Sequence, residues 1–154
     1  MKSKILISAC LLGAPVRYDG VGKAVSHPLL TRLLADGRLV PFCPEVAGGL
    51  PIPRAAAERQ ADGRVLTQDG TDVSLAFERG AEAAVALARS EEVCCALLKA
   101  RSPSCGVGQI YDGHFSGQLQ AGDGLTALAL RQAGVTLFTE ADLAALAGFL
   151  ATET

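Results

Sequence analysis

The chain has 154 residues, 49% hydrophobic and 19% charged, with five Phe, two Tyr, no Trp and a formal net charge of −2. That length suits one domain with its own core, so a single domain over residues 1–154 is expected. The acidic balance and the scarcity of aromatic rings exclude a dedicated nucleic-acid binder, which needs a basic face or stacking platforms, and a binder of anionic membranes.

The apolar run Ile5-Leu6-Ile7 is too short for the core of a signal peptide, and no stretch approaches the ~20 apolar residues that cross a bilayer. A cytoplasmic protein is expected, with no membrane partner and no obligate nucleic acid. In that compartment the five cysteines read as thiols or ligands, because cytosolic disulfides are rare.

Lys4-Ile5-Leu6-Ile7-Ser8-Ala9 is apolar without a helical period and predicts a buried parallel strand that ends at Cys10. Gly, Pro and Asp then predict a loop to Gly22. His27-Pro28 opens a short helix through Leu29, Leu30, Leu33 and Leu34, stopped by Gly37. Leu39-Val40-Pro41-Phe42 predicts a second strand, ending at Cys43. From Pro44 to Gly70 the prolines and Gly48-Gly49 argue against a long regular element, and Arg64-Val65-Leu66-Thr67 suggests a small hairpin or edge strand. Val73, Phe77, Ala81, Ala84 and Ala88 keep helical spacing and predict an amphipathic helix over 72–90, capped by Thr71 or Asp72.

A third strand is expected over 93–100, leading into Ser102-Pro103-Ser104-Cys105-Gly106, with a turn-rich loop at 111–117. A helix over 123–133 stops at Gly134, a fourth strand follows at 135–138, and Thr139 caps a last helix carrying Leu143, Leu146 and Leu150. Strands alternating with helices predict an α/β class: a Rossmann-like three-layer fold with a mostly parallel sheet.

Cys10, Cys43 and Cys105 each stand at or just past the end of an expected strand. The carboxyl ends of parallel strands share one edge, where ligands bind, so the topology brings three distant thiols together. Clustered thiols in a reducing compartment suit a soft metal: zinc, copper(I) or an iron–sulfur cluster. No CxxC spacing supports a zinc ribbon, and adjacent Cys94-Cys95 reads as core. Iron–sulfur clusters usually take four thiolates; three on a [4Fe–4S] cluster would leave one iron open for substrate.

Glu45 follows Cys43 by two residues and would share its side in an extended segment, as a general acid or base. Ser102 and Ser104 flank Cys105 and can donate to substrate or cluster sulfur. Arg17, Asp19 and Lys23, after Cys10, and Arg54, after Glu45, suit a polar or anionic substrate, or serve as solvated loop charges. His27 reads as structural at a helix start, and His114 as a loop residue able to ligate or carry a proton.

Ser8-Ala9-Cys10-Leu11-Leu12-Gly13, Arg17-Tyr18-Asp19-Gly20, Cys43-Pro44-Glu45 with Gly48-Gly49-Leu50-Pro51, and Ser102-Pro103-Ser104-Cys105-Gly106 resemble the DUF523 family over nearly the whole chain. Tyr111-Asp112-Gly113 and Phe115-Ser116-Gly117 continue the likeness. The resemblance implies a [4Fe–4S] cluster on Cys10, Cys43 and Cys105, with catalytic roles for Glu45 and Ser102. It further implies a desulfidase acting on a small thiolated pyrimidine. Many relatives carry another cysteine where this chain has Val16, which leaves three thiolates as the expected count. A non-catalytic metal or cluster carrier is the competing expectation. A metal-free nucleotide module is disfavoured, since no Gly-rich phosphate motif follows the first strand.

Overall fold

The computed structural model describes residues 3–152. In chain order the elements are β1 (Ile5–Ser8), α1 (Pro28–Ala35), β2 (Leu39–Phe42), α2 (Pro44–Ala47), β3 (Ala57–Arg59), β4 (Val65–Thr67), α3 (Ser74–Ser90), β5 (Cys95–Leu98), β6 (Gln109–Tyr111), β7 (Leu119–Ala121), α4 (Leu125–Gln132), β8 (Thr136–Thr139) and α5 (Leu143–Ala151). Short 3-10 turns follow β1 at Ala9–Leu12 and β8 at Glu140–Asp142.

Four strands form a parallel sheet in the order β2-β1-β5-β8, with Ile5 opposite both Leu39 and Cys95, and Cys95 opposite Thr136. The central strands β1 and β5 are buried along their length, as a sheet covered on both faces requires. Their alternation divides the core. Ile5, Ile7, Cys95 and Leu97 face α1 and α5 through Leu29, Leu30, Leu33, Leu143 and Leu146. Leu6, Ala96 and Leu98 face α3 and α4 through Ala84, Ala88, Ala127 and Leu130. These three layers bear out the expected Rossmann-like architecture.

Several local expectations also hold. His27 caps α1, its Nδ1 accepting from the Leu29 N–H at 3.1 Å, which gives this histidine a structural role. Thr139 caps the turn before α5 in a reciprocal box with Asp142. The expected cap of α3 by Thr71 or Asp72 is corrected: its N-cap is Val73, with no side-chain cap, and Asp72 instead turns back onto the Ser74 N–H at 2.9 Å. Cys95 is sealed in the core and Cys94 packs at its margin, as expected of small apolar side chains.

The stretch from Pro44 to Gly70 is more ordered than its composition suggests. It contains the turn-length helix α2 and the antiparallel pair β3–β4, and a second antiparallel pair, β6–β7, brackets the 111–117 loop. The glycines that argue against a helix here serve its packing instead. A Cβ on Gly48 would lie 1.9 Å from the Ala76 carbonyl oxygen, and one on Gly80 of α3 2.1 Å from that of Pro44. The two backbones therefore meet directly, fixing the segment that carries Cys43 and Glu45.

Among the described residues no helix is long and apolar enough to cross a membrane. The α2–α3 contact makes a prediction. Alanine gains about 1 kcal/mol over glycine in an open helix, but here its methyl meets a carbonyl that only a shift of α2 can clear. Gly80→Ala should therefore lose about 1–3 kcal/mol, read as a lower midpoint in denaturant unfolding.

Candidate active site

The strand order reverses direction at β1, whose neighbours β2 and β5 lie on opposite sides. The loops leaving the carboxyl ends of β1 and β5 diverge there and open a crevice, the usual ligand position in such sheets. A cavity of about 550 Å³ occupies it, lined by Cys10 after β1, Cys43 after β2 and Cys105 after β5.

Each thiol is placed by backbone hydrogen bonds. The Cys10 carbonyl accepts from the Gly13 and Lys23 amides at 3.0 and 2.8 Å, which folds the following loop back onto the 3-10 turn. Gly13 takes φ +92°, the left-handed conformation that glycine supplies without a side-chain clash. Cys43 is the residue before α2, and its Sγ lies 3.8 Å from the Val16 carbonyl oxygen. Cys105 sits in a turn closed by the Gly106 N–H donating to Ser102 O at 2.8 Å. Cys94 and Cys95 do not line the cavity, and exposed His114 also lies off its lining.

A single zinc ion needs thiolates converging to about 2.3 Å from one point. Among the described residues no three His, Cys, Asp or Glu side chains do so. Three thiols spread around one cavity suit a wider thiophilic group, and a multi-iron cluster meets that description.

Beside the thiols runs a chain of polar contacts. Arg54 Nε donates to Glu45 Oε1 at 3.1 Å, and its other nitrogens reach the Pro51 and Val16 carbonyls at 3.0 and 2.9 Å. Ser104 Oγ donates to Glu45 Oε2 at 3.0 Å and lies 2.9 Å from Ser102 Oγ. Ser102 Oγ also accepts the Ser104 and Cys105 amides at 3.1 and 3.0 Å. A hydroxyl has two lone pairs and one proton. With both lone pairs taken by amides, the Ser102 proton points to Ser104, so the order is Ser102 to Ser104 to Glu45.

Residues 5–142 match the 2-thiouracil desulfurase family. The chain belongs to that family. A solved [4Fe-4S]-dependent thiouracil desulfidase, TudS, is 51% identical, with a TM-score of 0.95, 99% of this chain and all of that one being covered. YbbK of Bacillus subtilis (strain 168), an uncharacterized protein, is 36% identical over 148 residues, covering 90% of this chain and 97% of its own.

In this family member the expected site residues fall into two groups. Cys10, Cys43, Cys105, Glu45, Ser102, Ser104, Arg17, Lys23 and Arg54 all line the one cavity. Asp19 lies off the lining, where it accepts from the Val21 amide at 3.1 Å and pairs with Arg17 at 3.5 Å. The expected extended path from Cys43 to Glu45 is corrected: Glu45 lies in the first turn of α2. Pro44, already fixed in φ, starts that turn.

Sequence reasoning missed Lys99, Arg101 and Glu58, which also line the cavity. Lys99 and Arg101 lie between β5 and the Cys105 turn, and that position was the available signal. Glu58 had no signal, being one charged residue in the Ala-rich stretch before β4.

Burial pushes the Cys10 thiol up to about 11, with Cys43 adding to it and Lys99 and Arg17 opposing. Burial likewise pushes Cys105 up to about 12, against hydrogen bonds from Ser8 and Ser104. Both thiols are thus protonated at neutral pH in the cluster-free protein, and loading a metal group must release their protons. Their folded values exceed the unfolded one, so the stability they contribute is complete below about pH 9 and is lost as pH rises through about 11. Denaturant midpoints of the reduced, cluster-free protein should fall across that range. An equal fall in a Cys10→Ser, Cys105→Ser variant would remove these thiols as the cause.

Proposed function

We propose that this protein is a cytoplasmic, [4Fe–4S]-dependent desulfidase that converts thiolated uracil, as base, nucleoside or nucleotide, to the oxo form and releases hydrogen sulfide. The observation that carries this reading is the meeting, on one cavity, of three thiols with the Ser102–Ser104–Glu45 chain. The likeness to a thiouracil desulfidase along 99% of the chain supports it. A cluster carrier would need the thiols alone.

Cys10, Cys43 and Cys105 hold the cluster in this scheme. When bound, it supplies a soft open iron for the substrate sulfur, which leaves the thiocarbonyl carbon electrophilic. Water adds at that carbon while Glu45, held by Arg54 on one oxygen, accepts its proton on the other. The proton returns as sulfur departs, so thiocarbonyl plus water becomes carbonyl plus hydrogen sulfide and no electrons are transferred. Ser102 holds the base through Ser104, which donates to Glu45.

The lining charge favours a phosphorylated substrate. Arg17, Lys23, Arg54, Lys99 and Arg101 face the cavity against Glu45 and Glu58, in a chain of net charge −2. Arg54 and Lys99 are engaged by Glu45 and Glu140. Lys23 and Arg101 have no ion-pair partner among the described residues and are free to meet a phosphate.

The anaerobically reconstituted protein should release one sulfide per thiouracil consumed. Glu45→Gln should keep the cluster absorbance while losing at least about 100-fold in kcat, the scale of a general base. A stable cluster without turnover of any thiolated uracil would leave the carrier.

Lys23→Ala should raise KM about fivefold for 4-thiouridine monophosphate, the worth of a partly exposed charge contact near 1 kcal/mol, and leave KM for free 4-thiouracil unchanged. Equal effects on both would dissociate Lys23 from phosphate.

A further inference from the structure

Glu58 is a buried carboxylate with no ion-pair partner among the described residues. It lies in β3, 9% exposed, and lines the cavity. Its Oε1 accepts the Gly113 amide at 3.0 Å and the Phe115 amide at 3.2 Å. Gln60 Nε2 adds a bond to the Gly113 carbonyl at 3.1 Å. These contacts clamp the 112–117 loop onto β3. Phe115, which lines the cavity, holds φ +54°, a left-handed conformation costing about 1 kcal/mol or more in a residue with a side chain. The clamp thus holds the loop where its own preference would not.

The second oxygen of Glu58 has no donor among the described residues. It is not sealed away either: the described side-chain polar atoms buried without a partner are Arg59 Nε and Thr126 Oγ1. Glu58 lines the cavity, and with Oε1 taken by the two loop amides Oε2 is the oxygen left for a ligand there. A largely buried carboxylate oxygen is costly unless it finds a donor.

We propose that Oε2 of Glu58 accepts a ring N–H of the pyrimidine and makes Glu58 the specificity residue for a uracil-type imide. This rests on the desulfidase reading. N3–H lies between C2 and C4, beside the sulfur whichever of those carbons carries it. Once N1 bears a sugar, N3–H is the sole ring donor. A cytosine-type ring presents a bare N3 whose lone pair opposes the carboxylate, and an N3-methyl group removes the donor. Phe115 and Tyr111 supply flat walls for the ring faces. A site built to bond a substrate N–H rejects analogues lacking it far more strongly than an apolar pocket rejects a methylene.

The test uses reconstituted enzyme and nucleosides with N1 blocked. Wild type should favour 4-thiouridine over 3-methyl-4-thiouridine, and 2-thiouridine over 2-thiocytidine, by about 100-fold or more in kcat/KM. Glu58→Gln keeps a carbonyl oxygen for the two loop amides and puts an N–H₂ where Oε2 was. It should lower kcat/KM for 2-thiouridine at least about tenfold and narrow or reverse the gap to 2-thiocytidine. Equal turnover of the paired substrates by wild type, or a preference unchanged in Glu58→Gln, would overturn the assignment. Calorimetric binding of uridine against cytidine separates it from the activity. A uridine preference erased by Glu58→Gln, in a protein that turns over no thiopyrimidine, keeps the Glu58 assignment and removes the desulfidase reading; neither preference nor turnover removes both.

Discussion

The turn after β5 joins the chemistry to the fold through its own backbone. Its amides fill the lone pairs of Ser102, while its carbonyls cap a helix: Leu125 N donates to Pro103 O at 3.0 Å, and Thr126 and Ala127 N donate to Ser104 O at 2.9 and 3.1 Å. The first turn of α4 thus takes its cap from the Cys105 loop rather than from a side chain, satisfying amides that would otherwise be orphaned. Gly124 makes this possible, since a Cβ there would lie 2.5 Å from the Ser104 carbonyl. Ala127 and Leu130 on that helix are fully buried. Displacing Cys105 would uncap α4 and disturb one face of the core, so the thiol is held by the stability of the whole layer.

How much of this was legible depended on where the determining contact lay. The strands β1, β2, β5 and β8 announce themselves as short apolar runs, and a parallel sheet places their carboxyl ends together whatever the order. The three cysteines at those ends are therefore readable from the sequence. The β3–β4 and β6–β7 pairs were only partly readable, because three-residue strands such as Ala57–Arg59 and Leu119–Ala121 show no alternation long enough to detect. The helix α2 was hidden for another reason. Gly48 reads locally as a breaker, yet it is required by the backbone of α3 nearly thirty residues away. Glu58 was invisible because its role comes from two amides of a loop more than fifty residues later.

The site also separates two carboxylates by environment. Glu45 has a guanidinium on one oxygen and a hydroxyl on the other, so both oxygens are committed before any substrate arrives. A single-point Arg contact fixes its orientation while Arg54's other nitrogens tie down the Val16 and Pro51 carbonyls. Arginine suits this task because its planar fork reaches three segments at once, which a lysine ammonium on the same stem would do with less geometric definition. Among the described residues Glu58 has only backbone donors, both on one oxygen, which leaves the other uncommitted.

That asymmetry divides the labour within one cavity. In the proposed reaction the group that moves protons at the reacting carbon must hold its position through the cycle, and Glu45 is anchored from both sides. A group that selects a substrate must keep a vacant bond for it, since a satisfied oxygen has nothing left to lose when the wrong ring arrives. The 112–117 loop is the means by which Glu58 is buried enough for that vacancy to count: exposed to water, its free oxygen would be solvated in every case and would discriminate little. In the proposed reaction the clamp that holds Phe115 serves selection by fixing the Glu58 carboxylate at the cavity wall, while the sheet edge and the Cys105 turn serve the chemistry by fixing the thiols.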